Sequence, residues 1–238
     1  MIYKRPQLVN NEIYHVVSRA VGDTVVFDDE NDFYRGIFSI YEFNNSNYVS
    51  IWKRRREIKL EKRQRPTLPD YKKMDERDRF VDVLAFSFMP NHLHLILKQI
   101  KDNGITEFMK KVGGGYAKYF NEKYKRQGHL FNKFRAVHIK DNNQLKNTFV
   151  YVHANLISLI EPGWKEKGIE NPERVKGFLE NNKRHSYPDY LGKKSFSSVT
   201  QRDLLLKVMD GVEGCKAEID NWIMYKNRLS DFDDVILE

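Results

Sequence analysis

The sequence predicts an α+β fold built around a single antiparallel sheet. Three observations carry that reading. Residues 91–98 alternate: Leu93, Leu95 and Leu97 point to one side, and His92, His94, Ile96 and Lys98 to the other, as in a strand. Pro90-Asn91 marks a tight turn just before them, so residues 83–88 should be the antiparallel partner. Strand-like and helix-like segments then alternate along the chain in an order that one sheet can accommodate.

The elements follow in order. Residues 12–19 are rich in β-branched and aromatic side chains and read as a first strand. Asp28 or Asp29 can cap a helix whose apolar residues Phe33, Tyr34, Ile37, Phe38 and Tyr41 recur at helical spacing. Residues 53–73 contain ten Lys or Arg, and Pro66 and Pro69 break a long helix, so this part of a basic insertion at about 44–80 reads as a mobile excursion. The hairpin at 83–98 comes next. A helix from about 105 to 124 mixes aromatics with lysines and contains Gly113-Gly114-Gly115, which permit a kink or the close approach of another chain segment. Residues 136–140 read as a strand. Asp141 or Asn142 can cap a further helix with Leu145, Phe149, Val152, Leu156 and Leu159 on one stripe, Gln144, Tyr151 and Asn155 along one flank, and His153 on the other.

The order strand, helix, strand, strand, helix, strand is the ferredoxin-like (RRM-like) arrangement, with helices expected on one face of the sheet. The tyrosine-bearing helix is an addition to it. Residues 1–160 read as one domain, and 161–238 as a mostly helical C-terminal extension with terminal helices at 204–209 and 217–229.

Composition narrows the function classes. The chain has 238 residues, 40% of them hydrophobic, and no apolar run long enough to cross a bilayer. Its N-terminus lacks a signal-peptide core, and the one cysteine, Cys215, excludes an internal disulfide and a cysteine-rich zinc site. These features read as cytoplasmic. The net charge of +8 favours a polyanionic partner such as nucleic acid. His92 and His94, one strand period apart, can converge on a metal ion. An exposed hairpin edge with two solvated histidines stands beside that reading, because two ligands do not close a site.

Several stretches, in order, resemble one family. Residues 86–97 resemble the "MPNHxHLLL" strand of single-tyrosine HUH-type insertion-sequence transposases, and the REP-associated tyrosine transposase branch fits best. Tyr14-His15-Val16-Val17-Ser18-Arg19 is similar to its first strand, residues 116–134 to "YARYFNRRYGRxGHLFQGRF", Tyr151-Val152-His153-Ala154-Asn155 to "YIHLNP", and residues 185–192 to "WSSYxxYLG". Leu156 stands where the family has proline.

The resemblance implies a DNA strand endonuclease-ligase. Tyr151 would be the nucleophile that forms a 5′-phosphotyrosine, and His92, His94 and Asn155 would hold a divalent ion, Mg²⁺ or Mn²⁺. The partner implied is single-stranded or hairpin DNA, whose phosphates would meet Arg19, Lys110, Lys111, Lys118, Arg126, His129, Lys133 and Arg135. The expected assembly is a monomer or loose homodimer with Tyr151 acting beside its own histidines. A non-catalytic module that binds single strands on its sheet, and a domesticated transposase, are the alternatives.

Overall fold

The computed structural model describes residues 5–64, 75 and 77–224. Four strands, β1 (Ile13–Arg19), β2 (Val81–Met89), β3 (His92–Gln99) and β4 (Arg135–Ile139), form one antiparallel sheet in the order β2-β3-β1-β4. Helix α1 (Glu30–Glu42) links β1 to the insertion and α3 (Gly104–Tyr124) links β3 to β4, which completes the ferredoxin-like order. The hairpin β2–β3 pairs Met89 with His92 across Pro90-Asn91, and β1 pairs with β3 so that Arg19 faces His92, Val17 faces His94 and His15 faces Ile96.

Helices α1 and α3 cover one face of this sheet. Their core gathers Tyr14, Val16, Phe86, Phe88, Leu93, Leu95 and Leu97 from the strands with Phe33, Ile37, Phe108 and Tyr116 from the helices. Asp29 caps α1 by accepting the Asp32 N–H at 2.7 Å. The triple glycine leaves α3 continuous. A Cβ on Gly115 would come within 2.2 Å of the Phe43 ring, so this glycine lets Phe43 pack directly on the helix backbone.

The second face is covered too. Helix α4 (Asn142–Ala154) lies on it, capped by Asp141, which accepts the Gln144 N–H at 2.8 Å. Its apolar residues share a core with Ile96, with α5 (Trp164–Lys167), α6 (Pro172–Asn181) and α7 (Tyr187–Tyr190), and with the terminal helices α8 (Asp203–Val208) and α9 (Gly211–Met224). A hairpin edge with solvated histidines is therefore excluded: β3 is an inner strand buried on both faces. Leu205, Ile219, Trp222 and Ile223 are buried against this same chain, and Leu229 lies outside the described residues.

Two features go beyond the expectations. Residues 51–64 of the basic insertion form a helix, α2 (Ile51–Gln64), held by Ile51 against the α1–α3 core and by Arg54 Nε donating to Glu42 Oε1 at 3.2 Å. Arg, Lys, Glu and Leu are good helix formers, and they outweigh the local charge density. Pro66 and Pro69 lie outside the described residues. The tail also does more than extend the chain: it closes the outer edge of β2. The Phe88 N–H donates to Arg184 O at 2.8 Å, Ser186 N–H to Phe86 O at 3.0 Å and Gln201 N–H to Val83 O at 2.9 Å. Those strand groups would otherwise be left open at a sheet edge. No helix among the described residues is long and apolar enough to cross a membrane.

Candidate active site

Strand parity sends His92 and His94 to the α4 side of the sheet, and antiparallel pairing brings His15 of β1 to the same side. The His92 and His94 rings sit edge to face, with centroids 4.8 Å apart. His15 Nε2 lies 3.0 Å from His94 Nδ1, and the two rings are nearly parallel. On its other side, His94 Nε2 faces the Asn155 amide at 3.2 Å. His92 Nδ1 is 2.6 Å from Asn91 Oδ1.

Helix α4 supplies the rest. Asn155 is its C-cap and opens the 3₁₀ turn Asn155–Leu159; Tyr151 sits one turn earlier, its ring edge-on to both His15 and His94 at 5.7 Å between centroids. Lys165 Nζ approaches the Tyr151 ring at 5.8 Å. Tyr151, Asn155, His92 and His94, expected together, are brought together. His153 is on the opposite flank, with Nε2 2.9 Å from Ser186 Oγ and its ring against Phe149, which is a structural placement.

Burial holds His94 well below the usual histidine range, and the charges of His15, His92, Lys165 and Arg19 push in the same direction. The ring is therefore neutral. Where the Asn155 amide donates to Nε2, the ring carries its proton on Nδ1, facing His15. A neutral imidazole with Nε2 unprotonated is the form that binds a metal.

The donor set fits a divalent ion. Two imidazoles at this separation suit one ion at about 2.1 Å from each nitrogen, and the Asn155 amide can turn its oxygen toward them. No cluster of three His, Cys, Asp or Glu suited to a metal exists among the described residues, so the remaining positions would fall to water or phosphate oxygens.

The predicted basic residues divide. Lys110, His129, Lys133 and Arg135, with Arg5, Gly113 and Gly114, line a groove of about 910 Å³ between α3 and the segment leading into β4. A Cβ added at Gly113 or Gly114 would meet nothing within 4 Å, so this stretch of α3 leaves the groove open. Arg19 ends β1 beside His92 and approaches Asp23 at 3.7 Å. Lys118 is exposed on α3 near Glu122. Two of the expected contacts have other work in the fold. Lys111 Nζ donates to the carbonyls of Asn45 and Asn47, and Arg126 bridges Asn121 Oδ1 and His129 O, fixing the turn that leads to the groove. The spacing of charges gives no sign of such local carbonyl partners. Sequence reasoning also missed His15 and Lys165 as site residues; for His15, the register of β1 on β3 was the signal needed.

Residues 43–155 match the model of the family described as "Transposase IS200 like". This stretch, just under half of the chain, is similar to IS200-like transposases. The matched stretch runs from the end of α1 through α2, β2, β3, α3 and β4 to Asn155, and it includes His92, His94 and Tyr151. No curated protein matches the chain. Among solved structures it is similar to a REP-associated tyrosine transposase bound to a REP hairpin, with a TM-score of 0.47 and 12% identity over 86% of this chain and 93% of that one. It is also similar to a bacterial tRNA(His) guanylyltransferase-like protein in complex with ATP, with a TM-score of 0.38 and 11% identity over 78% of this chain and 77% of that one.

Proposed function

We propose that this chain cleaves and rejoins single-stranded DNA carrying hairpins, as the REP-associated branch it resembles in sequence would. The observation that carries the reading is the meeting of Tyr151, His94 and Asn155 on the buried α4 face of one chain. Tyr151 Oη attacks the scissile phosphorus, the bond to the 3′ oxygen breaks, and the phenol proton ends on the released 3′-hydroxyl. The phosphodiester energy is kept in a 5′-phosphotyrosine, so the reverse attack rejoins a strand. His92, His94 and the Asn155 amide would hold Mg²⁺ or Mn²⁺, which when bound supplies Lewis-acid polarisation of a phosphate oxygen. Lys165, beside the Tyr151 ring, adds positive charge where phosphate would sit. His15 holds the His94 ring from behind. The groove lined by Lys110, Lys133 and Arg135 takes the flanking DNA, and Tyr151 serves its own histidines, so one chain suffices.

The test is a labelled single strand with a hairpin end, incubated with Mg²⁺ and run on a denaturing gel. A covalent protein–DNA adduct that disappears in Tyr151→Phe is expected. A hairpin that binds tightly yet yields neither adduct nor cleaved strand would replace this reading with a non-catalytic binding module.

A further inference from the structure

The outward side of α2 has no role in the site described above. Trp52, in its first turn, is 72% exposed. At 100° per residue, Arg56 and Lys59 fall on the same side of α2 as Trp52, with Arg55 and Lys53 on its flanks, while Ile51 and Arg54 face inward. Arg56 lies over the Trp52 ring at 5.6 Å. Among the described residues, no carboxylate comes within ion-pair distance of Lys53, Arg55, Arg56 or Lys59. Arg55 also lies over Phe38 at 5.5 Å and lines a groove of about 900 Å³ between α1, α2 and α3, which Tyr34, Phe38 and Tyr119 line as well.

Large aromatics left in water beside cations have one chemical partner that uses both features. A nucleic-acid strand offers flat bases to stack on rings and phosphates to meet guanidinium and ammonium groups. An acidic peptide would use the cations but leave the rings exposed. We propose that Trp52, Arg55, Arg56 and Lys59 form a second contact for single-stranded nucleic acid, separate from the groove that serves Tyr151. It lies on the α1–α3 side of the sheet, whereas the histidines face α4. A strand held here is tethered to the protein without occupying the reacting site.

Trp52 is its own reporter, because Trp164 and Trp222 are buried. Full-length protein is titrated with dT12 while tryptophan emission and its quenching by acrylamide are followed. The oligonucleotide should quench Trp52 and shield it from acrylamide, whereas polyglutamate of equal charge should do neither. In a Lys133→Ala/Arg135→Ala background, Trp52→Ala should weaken dT12 binding roughly 5- to 150-fold, and Trp52→Phe should restore most of it. Each of Arg55→Ala and Arg56→Ala should reduce the salt slope by about 0.7. Emission unchanged at saturating dT12, or an equal response to polyglutamate, overturns the proposal. So does a dimer that Trp52→Ala converts to monomer with no emission response to dT12. Loss of the Tyr151 adduct with Trp52 still responding would remove the catalytic reading and leave this one.

Discussion

His15 and His94 meet through one nitrogen–nitrogen contact of 3.0 Å in the interior of the α4 face. The contact uses His94 Nδ1, so His15 sits behind the ring and leaves Nε2 to the Asn155 side. Groups in this position fix the tautomer and plane of a ligating histidine.

The first prediction follows from that contact. His15→Ala should weaken Mn²⁺ affinity, read by calorimetry, by about 10- to 100-fold, and His15→Gln should recover part of the loss by keeping a polar partner for Nδ1. Nitrogen-15 spectra of the wild-type protein should report His94 protonated on Nδ1. Unchanged affinity in a folded His15→Ala protein would assign His15 to packing alone.

Cleavage and binding should separate. Tyr151→Phe should abolish adduct formation and leave hairpin affinity within a few-fold, because the ring is kept and only the nucleophilic oxygen is lost. Lys110→Ala, Lys133→Ala and Arg135→Ala should do the reverse, lowering affinity across sequences and reducing the salt dependence by about one each. Gel-shift titrations at several salt concentrations distinguish the two patterns.

The glycines of α3 should respond with opposite signs. Gly113→Ala meets nothing within 4 Å and should stabilise the helix by up to about 1 kcal/mol. Gly115→Ala collides with the Phe43 ring and should cost on the order of 1–3 kcal/mol. Urea unfolding midpoints measure both, and equal shifts would mean that Phe43 yields without cost.

Acid should unfold the protein through its buried histidines. Burial holds His185 down to about 4 and His153 well below its usual range. The unfolded chain then takes up protons at a higher pH than the folded one, so stability is intact above about pH 6.5 and falls as pH drops from 6.5 toward 4. For His185 alone the loss reaches roughly 3 kcal/mol. His185 Nε2 donates to Leu179 O at 2.9 Å, a bond that His185→Gln can reproduce without titrating, so that variant should flatten the profile. A wild-type curve already flat between pH 6.5 and 4 would rule out the neutral pair.

Much of the site was legible in residue order. Alternation placed His92 and His94 on one face, helical spacing put Tyr151 and Asn155 one turn apart, and the Asp141 cap fixed where that helix starts. His15 was hidden because parity within one strand does not reveal its register on another. The cover over the second face was hidden because α9 meets α4 from more than sixty residues away, through contacts such as Lys146 Nζ to Glu218 Oε1 at 3.6 Å. Helix α2 went unread because the charge density drew the reading more than the helix preference of the same Lys, Arg and Glu side chains.

The seam between β2 and residues 184–201 sets an order on synthesis. Every side chain proposed for strand cleavage has been made once Lys165 is in place, yet the outer hydrogen bonds of β2 find partners only when residues 184–201 follow, and α9 completes the cover over α4. A nascent chain thus carries all the side chains of the proposed site before the frame around them closes. The frame closes only once α9 has left the ribosome, and a product truncated before residue 184 would present β2 as a sticky strand to its neighbours.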